Sequence, residues 1–297
     1  MKRTWSIYLT AVATVLIWSH APVTIKYCLR TVGPWDLVIL RHVPAALVFG
    51  LYWAFSRQRR YLWDMARAHF WRLLLLGVAA VSGYHLALNF GSTRISAGTA
   101  SLIIGMAPAF TFFVAAALLG ERSTRRAAAG IVLAFAGLYL CVRYGGGRRV
   151  EVTYMLAALV TLLAPFFSSL HTTLSRPLAR QHGALNLTAL TIIFGTAPLL
   201  VTIRPSLISR LPTLSASFWA ADLFLGLACT AFAYALWAHA LRHLEATRVA
   251  VFLYLLPLLG LVWGSLYLAE RVTGWLVLGG LMIVAGVVLT NRAPSPK

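Results

Sequence analysis

Of 297 residues, 60% are hydrophobic and only 11% charged, with a mean hydropathy of +0.79; a soluble domain carries roughly 25% charged residues, so a water-soluble globular fold is excluded. The formal charge of +19, from 26 Lys and Arg against 7 Asp and Glu, would suggest a nucleic-acid partner on a soluble chain. Here the basic residues stand in short clusters between apolar runs, with no segment long enough for a basic domain or tail, so they read as topology signals and contacts with anionic lipid.

A bilayer core about 30 Å thick needs roughly 20 apolar residues per helix. In chain order the apolar runs predict ten helices: Trp5–Leu29, Trp35–Phe55, Leu73–Phe90, Ser96–Leu119, Ala127–Val142, Tyr154–Leu174, Leu185–Ile203, Phe218–Leu241, Val249–Leu268 and Trp275–Thr290. The fifth is short and would need a thinner bilayer. Met1-Lys2-Arg3 before an apolar run resembles a signal peptide, but the run continues without a small-residue cleavage site and is read as a retained first helix. With the N-terminus inside, inner segments hold sixteen Lys and Arg and outer loops eight. This bias places both termini in the cytoplasm. Cys28, Cys141 and Cys229 are far apart and lie in or beside apolar runs, which predicts neither disulfides nor a metal cluster.

The chain repeats itself. At a constant offset of 149 residues, Gly77 matches Gly226, Ala97 matches Ala246, Pro108 matches Pro257, Leu119 matches Leu268 and Glu121-Arg122 matches Glu270-Arg271. Gly130 then matches Gly279, Ala136-Gly137 matches Ala285-Gly286, and Arg143 matches Arg292. Two random apolar segments would not share Pro, Gly and an acidic–basic pair in register. The halves, residues 1–146 and 147–297, join at the flexible Gly145-Gly146-Gly147. Five helices per half is odd, so the second half enters the membrane upside down, a transporter signature.

Polar groups inside apolar runs are expensive and point to function. His85 and Asn89 lie four residues apart on one helix face, with Tyr84 beside them. The offset maps His85 onto Tyr234, and Trp237 lies on the face of Tyr234. These side chains offer donors, acceptors and ring faces to a ligand, or serve as glue between helices. Trp18, Ser168, Ser169 and Tyr254 are further candidates for lining a cavity. Lys26 and Arg41 are expected to snorkel outward or pair with Asp36 at the outer rim, with an outer-gate role as the alternative. Glu121 and Glu270, each followed by Arg122 or Arg271, stand where a carboxylate complements the next helix's dipole, worth roughly 0.3–1 kcal/mol; the alternative is proton coupling. Pro108 and Pro257 bend their helices, either as gate hinges or as shapers of the cavity. None of the seven acids falls at the bilayer centre, so transport is expected to be facilitative or by exchange, with His85 the central titrating group. Gly130, Ala134, Gly279 and Gly286 permit close helix approach, within the chain or in a dimer. No enzyme motif, cofactor fingerprint or metal site is present in the sequence.

The stretch from Ala87 to Ala100, Ala107-Pro108, Leu119-Gly120-Glu121-Arg122, Gly130 and Ala136-Gly137 resembles the EamA repeat of the drug/metabolite transporter superfamily. Ala238 to Ala246, Pro257, Ala269-Glu270-Arg271, Gly279 and Ala285-Gly286 resemble it again, as do Trp18-Ser19 and Arg41. The resemblance implies an all-α polytopic fold of ten transmembrane helices, in two inverted five-helix repeats around a central cavity. It also implies a secondary transporter in a bacterial inner membrane, exporting small metabolites, very often amino acids. A site of His, Asn, Tyr and Trp without a fixed acid suits neutral and aromatic amino acids, moved by alternating access. The alternatives are a flippase of lipid-linked intermediates, or another lipid-handling protein, and a membrane scaffold. Expected partners are the small-molecule substrate and membrane lipid, with no nucleic acid. The chain would act as a monomer or homodimer.

Overall fold

In hydrocarbon every backbone N–H and C=O must be satisfied within the protein, which leaves helices or a closed barrel. The computed structural model describes residues 2–119, 125–145, 152–243 and 251–291, and these are helical, with no strand among them. Ten apolar helices follow: Ile7–Cys28, Pro34–Phe55, Phe70–Ser92, Ala97–Leu118, Arg125–Tyr144, Val152–His182, Ala184–Leu200, Ala216–His243, Phe252–Leu268 and Gly274–Thr290. They are the first to tenth spans below. The fifth runs 20 residues, about 30 Å at 1.5 Å per residue, so the short span expected there is long enough without a thinner bilayer. The seventh turns by 100° into Pro205–Thr213.

The fifth and tenth spans show how the halves are related. A Cβ on Gly130 would sit 2.5 Å from the carbonyl oxygen of Gly286, and one on Gly137 would sit 2.5 Å from that of Gly279. Gly279 is the counterpart of Gly130, and Gly286 that of Gly137. The contact therefore maps onto itself when the halves are exchanged, as an isologous interface does. The two helices run antiparallel across this axis, which makes the fold an inverted repeat. It also settles what the small residues do: they let two spans of one chain meet backbone to backbone.

Other features come in mirrored pairs. The third span contains a π-helical stretch, Val78–Gly83, and the eighth contains another, Phe224–Phe232; the offset carries 78–83 onto 227–232. The fourth span breaks between Ala97–Ile104 and Ala107–Leu119. The ninth changes at the matching place from a 3-10 turn, Val251–Tyr254, to the α-helix Leu255–Leu268. Pro108 and Pro257 each fall in the first turn after the break, where the missing N–H costs nothing. The first span is broken at His20, just before Pro22.

Close contacts hold the spans in these places. Gly77 of the third span faces the backbone of Gly195 and Thr191 in the seventh, and Gly226 of the eighth faces Arg41 and Pro44 in the second. The largest apolar cluster includes Ile25, Leu102, Met106, Phe218, Leu225 and Ile283, drawn from both repeats. The sixth span extends past the others. Its Leu178 joins Leu62, Met65 and Ala66 of a surface helix, Arg59–Ala68.

Candidate functional site

Beyond Asp36 in its first turn, the charged or titratable pair in the apolar run of the second span is Arg41-His42, and both are buried. Arg41 is 3% exposed. Its position contradicts the expectation that it snorkels outward or pairs with Asp36. The partner of Asp36 is Arg204, at 3.0 Å, because the start of the second span abuts the loop after the seventh. Lys26 donates to the carbonyl of Ile95 instead.

A backbone carbonyl and a hydroxyl that receive Arg41 come from the eighth span's π-helical turn, whose wider winding re-aims its groups towards neighbours. Arg41 Nη2 donates to the Leu225 carbonyl at 3.4 Å and to Thr230 Oγ1 at 3.1 Å. Arg41 Nη1 lies 3.3 Å from His85 Nδ1. A guanidinium can only donate, so His85 Nδ1 accepts and the imidazole hydrogen sits on Nε2. His42 packs against His85 with ring centres 4.5 Å apart and is held by its Nδ1 contact with the Val38 carbonyl, 2.8 Å. Two buried imidazoles thus flank one permanent cation.

Rings surround this centre. Tyr84 stands perpendicular to His85 at 4.6 Å. Trp18 donates from Nε1 to the Cys229 carbonyl, 2.8 Å, another carbonyl of the same π-turn. It meets Tyr234 edge-on at 5.2 Å and Trp237 at 5.3 Å. Trp18, Tyr84, Tyr234 and Trp237 are only partly buried. The arrangement presents one cation, neutral acceptors and four aromatic faces.

Several buried atoms here lack a hydrogen-bond partner among the described residues: Arg41 Nε, His42 Nε2 and both carboxylate oxygens of Asp222. Asp222 is fully buried in the first part of the eighth span. It lies close enough to Arg41 for their charges to interact, yet the two form no ion pair. The sequence places no acid at the bilayer centre, yet this one is wholly enclosed by protein. His42, Thr230 and Asp222 were missed. The signal for them was cost: a lone charge in an apolar run demands a partner.

The remaining expected site residues lie elsewhere. Asn89 donates to the Pro34 carbonyl at 3.1 Å, tying the third span to the start of the second. Ser169 Oγ approaches the carbonyls of Ala107, 2.9 Å, and Pro165, 2.6 Å, and accepts from Thr111 Oγ1 at 3.1 Å. It thereby braces the break at Pro108. Tyr254 is partly buried at the ninth-span junction. Glu270 caps a helix, but a different one from that expected. Its oxygens accept from Ala97 N at 2.7 Å and Gly98 N at 3.1 Å, the start of the fourth span in the other repeat. The reason is Ala269, whose φ of 51° turns the chain left-handed and aims the next side chain away from the tenth span. Arg271 is exposed. Glu121 and Arg122 lie outside the described residues. Among the described residues no group of three or more His, Cys, Asp or Glu could hold a metal ion.

Comparison with known proteins gives the same architecture. The EamA-like transporter family matches the chain twice, over residues 5–143 and 155–292. The chain is 28% identical over 279 residues to an "Uncharacterized transporter" of Archaeoglobus fulgidus, covering 94% of this chain and 96% of that protein. It is 29% identical over 292 residues to a "Probable terminal-alkyne amino-acid exporter" of Streptantibioticus cattleyicolor, covering 98% and 94%. It is 27% identical over 294 residues to a "Probable amino-acid metabolite efflux pump" of Escherichia coli K12, covering 94% and 92%. A solved crystal structure superposes with a TM-score of 0.63 at 19% identity, over 96% of each chain, a likeness of fold.

Proposed function

The chain belongs to the EamA-like transporter family, and we propose that it is a secondary transporter exporting small metabolites, neutral and aromatic amino acids among them, by alternating access. One observation carries this reading. The breaks at Pro108 and Pro257, the paired π-turns and the Gly130–Gly286 and Gly137–Gly279 contacts are related by exchanging the two halves. Two inverted repeats can take up each other's conformation, opening the site first to one side and then to the other. Pro108 and Pro257 are the proposed hinges, and the repeats divide at residues 146 and 147. The names of two relatives, an amino-acid exporter and an amino-acid metabolite efflux pump, support the substrate class.

The substrate lies among Trp18, Tyr84, His85, Tyr234 and Trp237. Transport is facilitative or by exchange: Arg41 is a permanent cation, and the buried Asp222 lies in the first part of the eighth span, away from its middle. The protein sits in the inner membrane with both termini in the cytoplasm.

The test is counterflow in proteoliposomes with a panel of amino acids, nucleobases and sugars. Transient accumulation of labelled amino acid, unaffected by an imposed pH gradient, is expected. Counterflow of nucleobases or sugars alone would move the substrate class. A strict requirement for the pH gradient would overturn the proposed mode. A C-terminal reporter active only in the periplasm would overturn the orientation.

A further inference from the structure

A cation and an acid are buried in adjacent spans without forming an ion pair with each other. Among the described residues, Arg41 is bonded only to neutral acceptors, His85 Nδ1, the Leu225 carbonyl and Thr230 Oγ1, and its Nε has no partner. Neutral acceptors orient a guanidinium but leave its charge. Asp222 has no donor on either oxygen among the described residues. Burying such groups unpaired costs several kcal/mol each, so the fold must gain something by keeping them.

The repeat supports a role beyond structure. The 149-residue offset puts Leu73 at the place of Asp222, and in the mirrored close contact the Thr191 carbonyl faces Gly77 as the Arg41 carbonyl faces Gly226. Leu73 and Thr191 are both buried, where the third span packs on the seventh. The same contact is thus built on one side with a leucine and a threonine and on the other with an acid and a cation. What differs between the sides is the chemistry presented, and the charged side is the one that carries Tyr84, His85, Thr230 and Tyr234 around it.

We propose that Arg41 and Asp222 are the two poles of a site for a zwitterionic α-amino acid. The proposal rests on the reading of the chain as an amino-acid transporter and deepens it. The guanidinium takes the α-carboxylate through Nε and an Nη, a bidentate geometry suited to carboxylate. Asp222 takes the α-ammonium. The partly buried Trp18, Tyr84, Tyr234 and Trp237 take an apolar or aromatic side chain. A zwitterion compensates both charges while bringing no net charge into the membrane. A ligand with one pole leaves the other protein charge bare.

The experiment measures binding to the purified full-length protein with L-phenylalanine, phenethylamine, which lacks the carboxylate, and 3-phenylpropionate, which lacks the ammonium. The wild type is expected to bind each one-pole analogue at least about 30-fold more weakly than phenylalanine, the factor for leaving one member of a buried charge pair alone. Arg41→Met should lose the preference for phenylalanine over phenethylamine. Asp222→Asn should lose the preference over 3-phenylpropionate. Arg41→Lys and Asp222→Glu should keep both preferences. The double variant Arg41→Leu/Asp222→Leu removes both buried groups at once; it should fold and bind none of the three with preference. Equal binding of all three ligands by the wild type would overturn the proposal even with single variants that fail to fold. Phenylalanine counterflow without this analogue pattern would overturn the proposal and leave the amino-acid reading intact. Failure of any amino acid to bind or undergo counterflow, with another solute transported, would overturn both. Retained discrimination in the double leucine variant would mean that the two charges do not contact the ligand.

Discussion

Glu270 joins the two repeats in a way that can be put to a quantitative test. Its carboxylate takes the N–H groups of Ala97 and Gly98 at 2.7 and 3.1 Å, where Ser96 already caps Thr99 at 2.9 Å. Glu270→Ala removes two charge-assisted bonds, each worth about 1.5–3 kcal/mol, and a favourable charge at a helix N-terminus, worth about 0.3–1 kcal/mol. Glu270 is partly exposed, so water recovers some of this loss, and a net cost of about 2–3 kcal/mol is expected. At roughly 2–4 °C per kcal/mol, the melting temperature of the detergent-purified protein should fall by roughly 4–12 °C. Lys26 lies within range of the Glu270 charge and is itself half-buried. Removing Glu270 leaves that cation less compensated, so Lys26→Met should cost less in the Glu270→Ala background than in the wild type. The readout is a double-mutant cycle by intrinsic-fluorescence melting. A fall below about 2 °C for Glu270→Ala, with additive effects at Lys26, would refute the cap as a tie between the halves.

Three further substitutions follow from the packing. Gly137→Leu places a Cβ 2.8 Å from Met282 Cβ and 3.0 Å from Ile283 N; overpacking should cost about 1–3 kcal/mol and lower the melting temperature, whereas an unchanged value would mean that the fifth and tenth spans are not in contact. Ala269→Gly relieves a left-handed alanine, which costs about 1–2 kcal/mol, so it should raise the melting temperature by a few degrees without changing transport. Trp18→Phe keeps a ring against Tyr234 and Trp237 but leaves the Cys229 carbonyl of the π-turn without its donor. That should cost about 1–3 kcal/mol and weaken substrate binding, as read by melting and by counterflow.

Much of this architecture is legible in the sequence, for physical reasons that vary by feature. Apolar runs must be long to cross a bilayer, so all ten helices stand out, including the short ninth and tenth. The inverted repeat shows because Pro108 and Pro257 or Gly130 and Gly279 occupy backbone-restricted positions where other residues do not fit. Trp18, Tyr234 and Trp237 come together as an aromatic group because the repeat placed two of them on one face. The polar centre is less legible. Arg41 meets the π-turn more than 180 residues away in sequence, and nothing in Phe224–Phe232 marks a π-turn by composition. Asp222 gave no sign of its burial, since an acid near the end of a span normally reaches water. Glu270 was read as a cap of the nearest helix, because sequence proximity cannot reveal that a left-handed residue before it turns the side chain to the other repeat. Asn89 sits on the face of His85 as expected, yet its amide donates to the Pro34 carbonyl at the start of the second span, 55 residues away in sequence.

The most direct measurement of the central claim is counterflow with wild-type protein in proteoliposomes preloaded with unlabelled L-phenylalanine. The account predicts transient accumulation of labelled phenylalanine that decays as the internal pool is diluted, abolished in Arg41→Leu/Asp222→Leu protein of normal melting temperature. Counterflow of equal size in that variant, or none in the wild type for any amino acid, would contradict it.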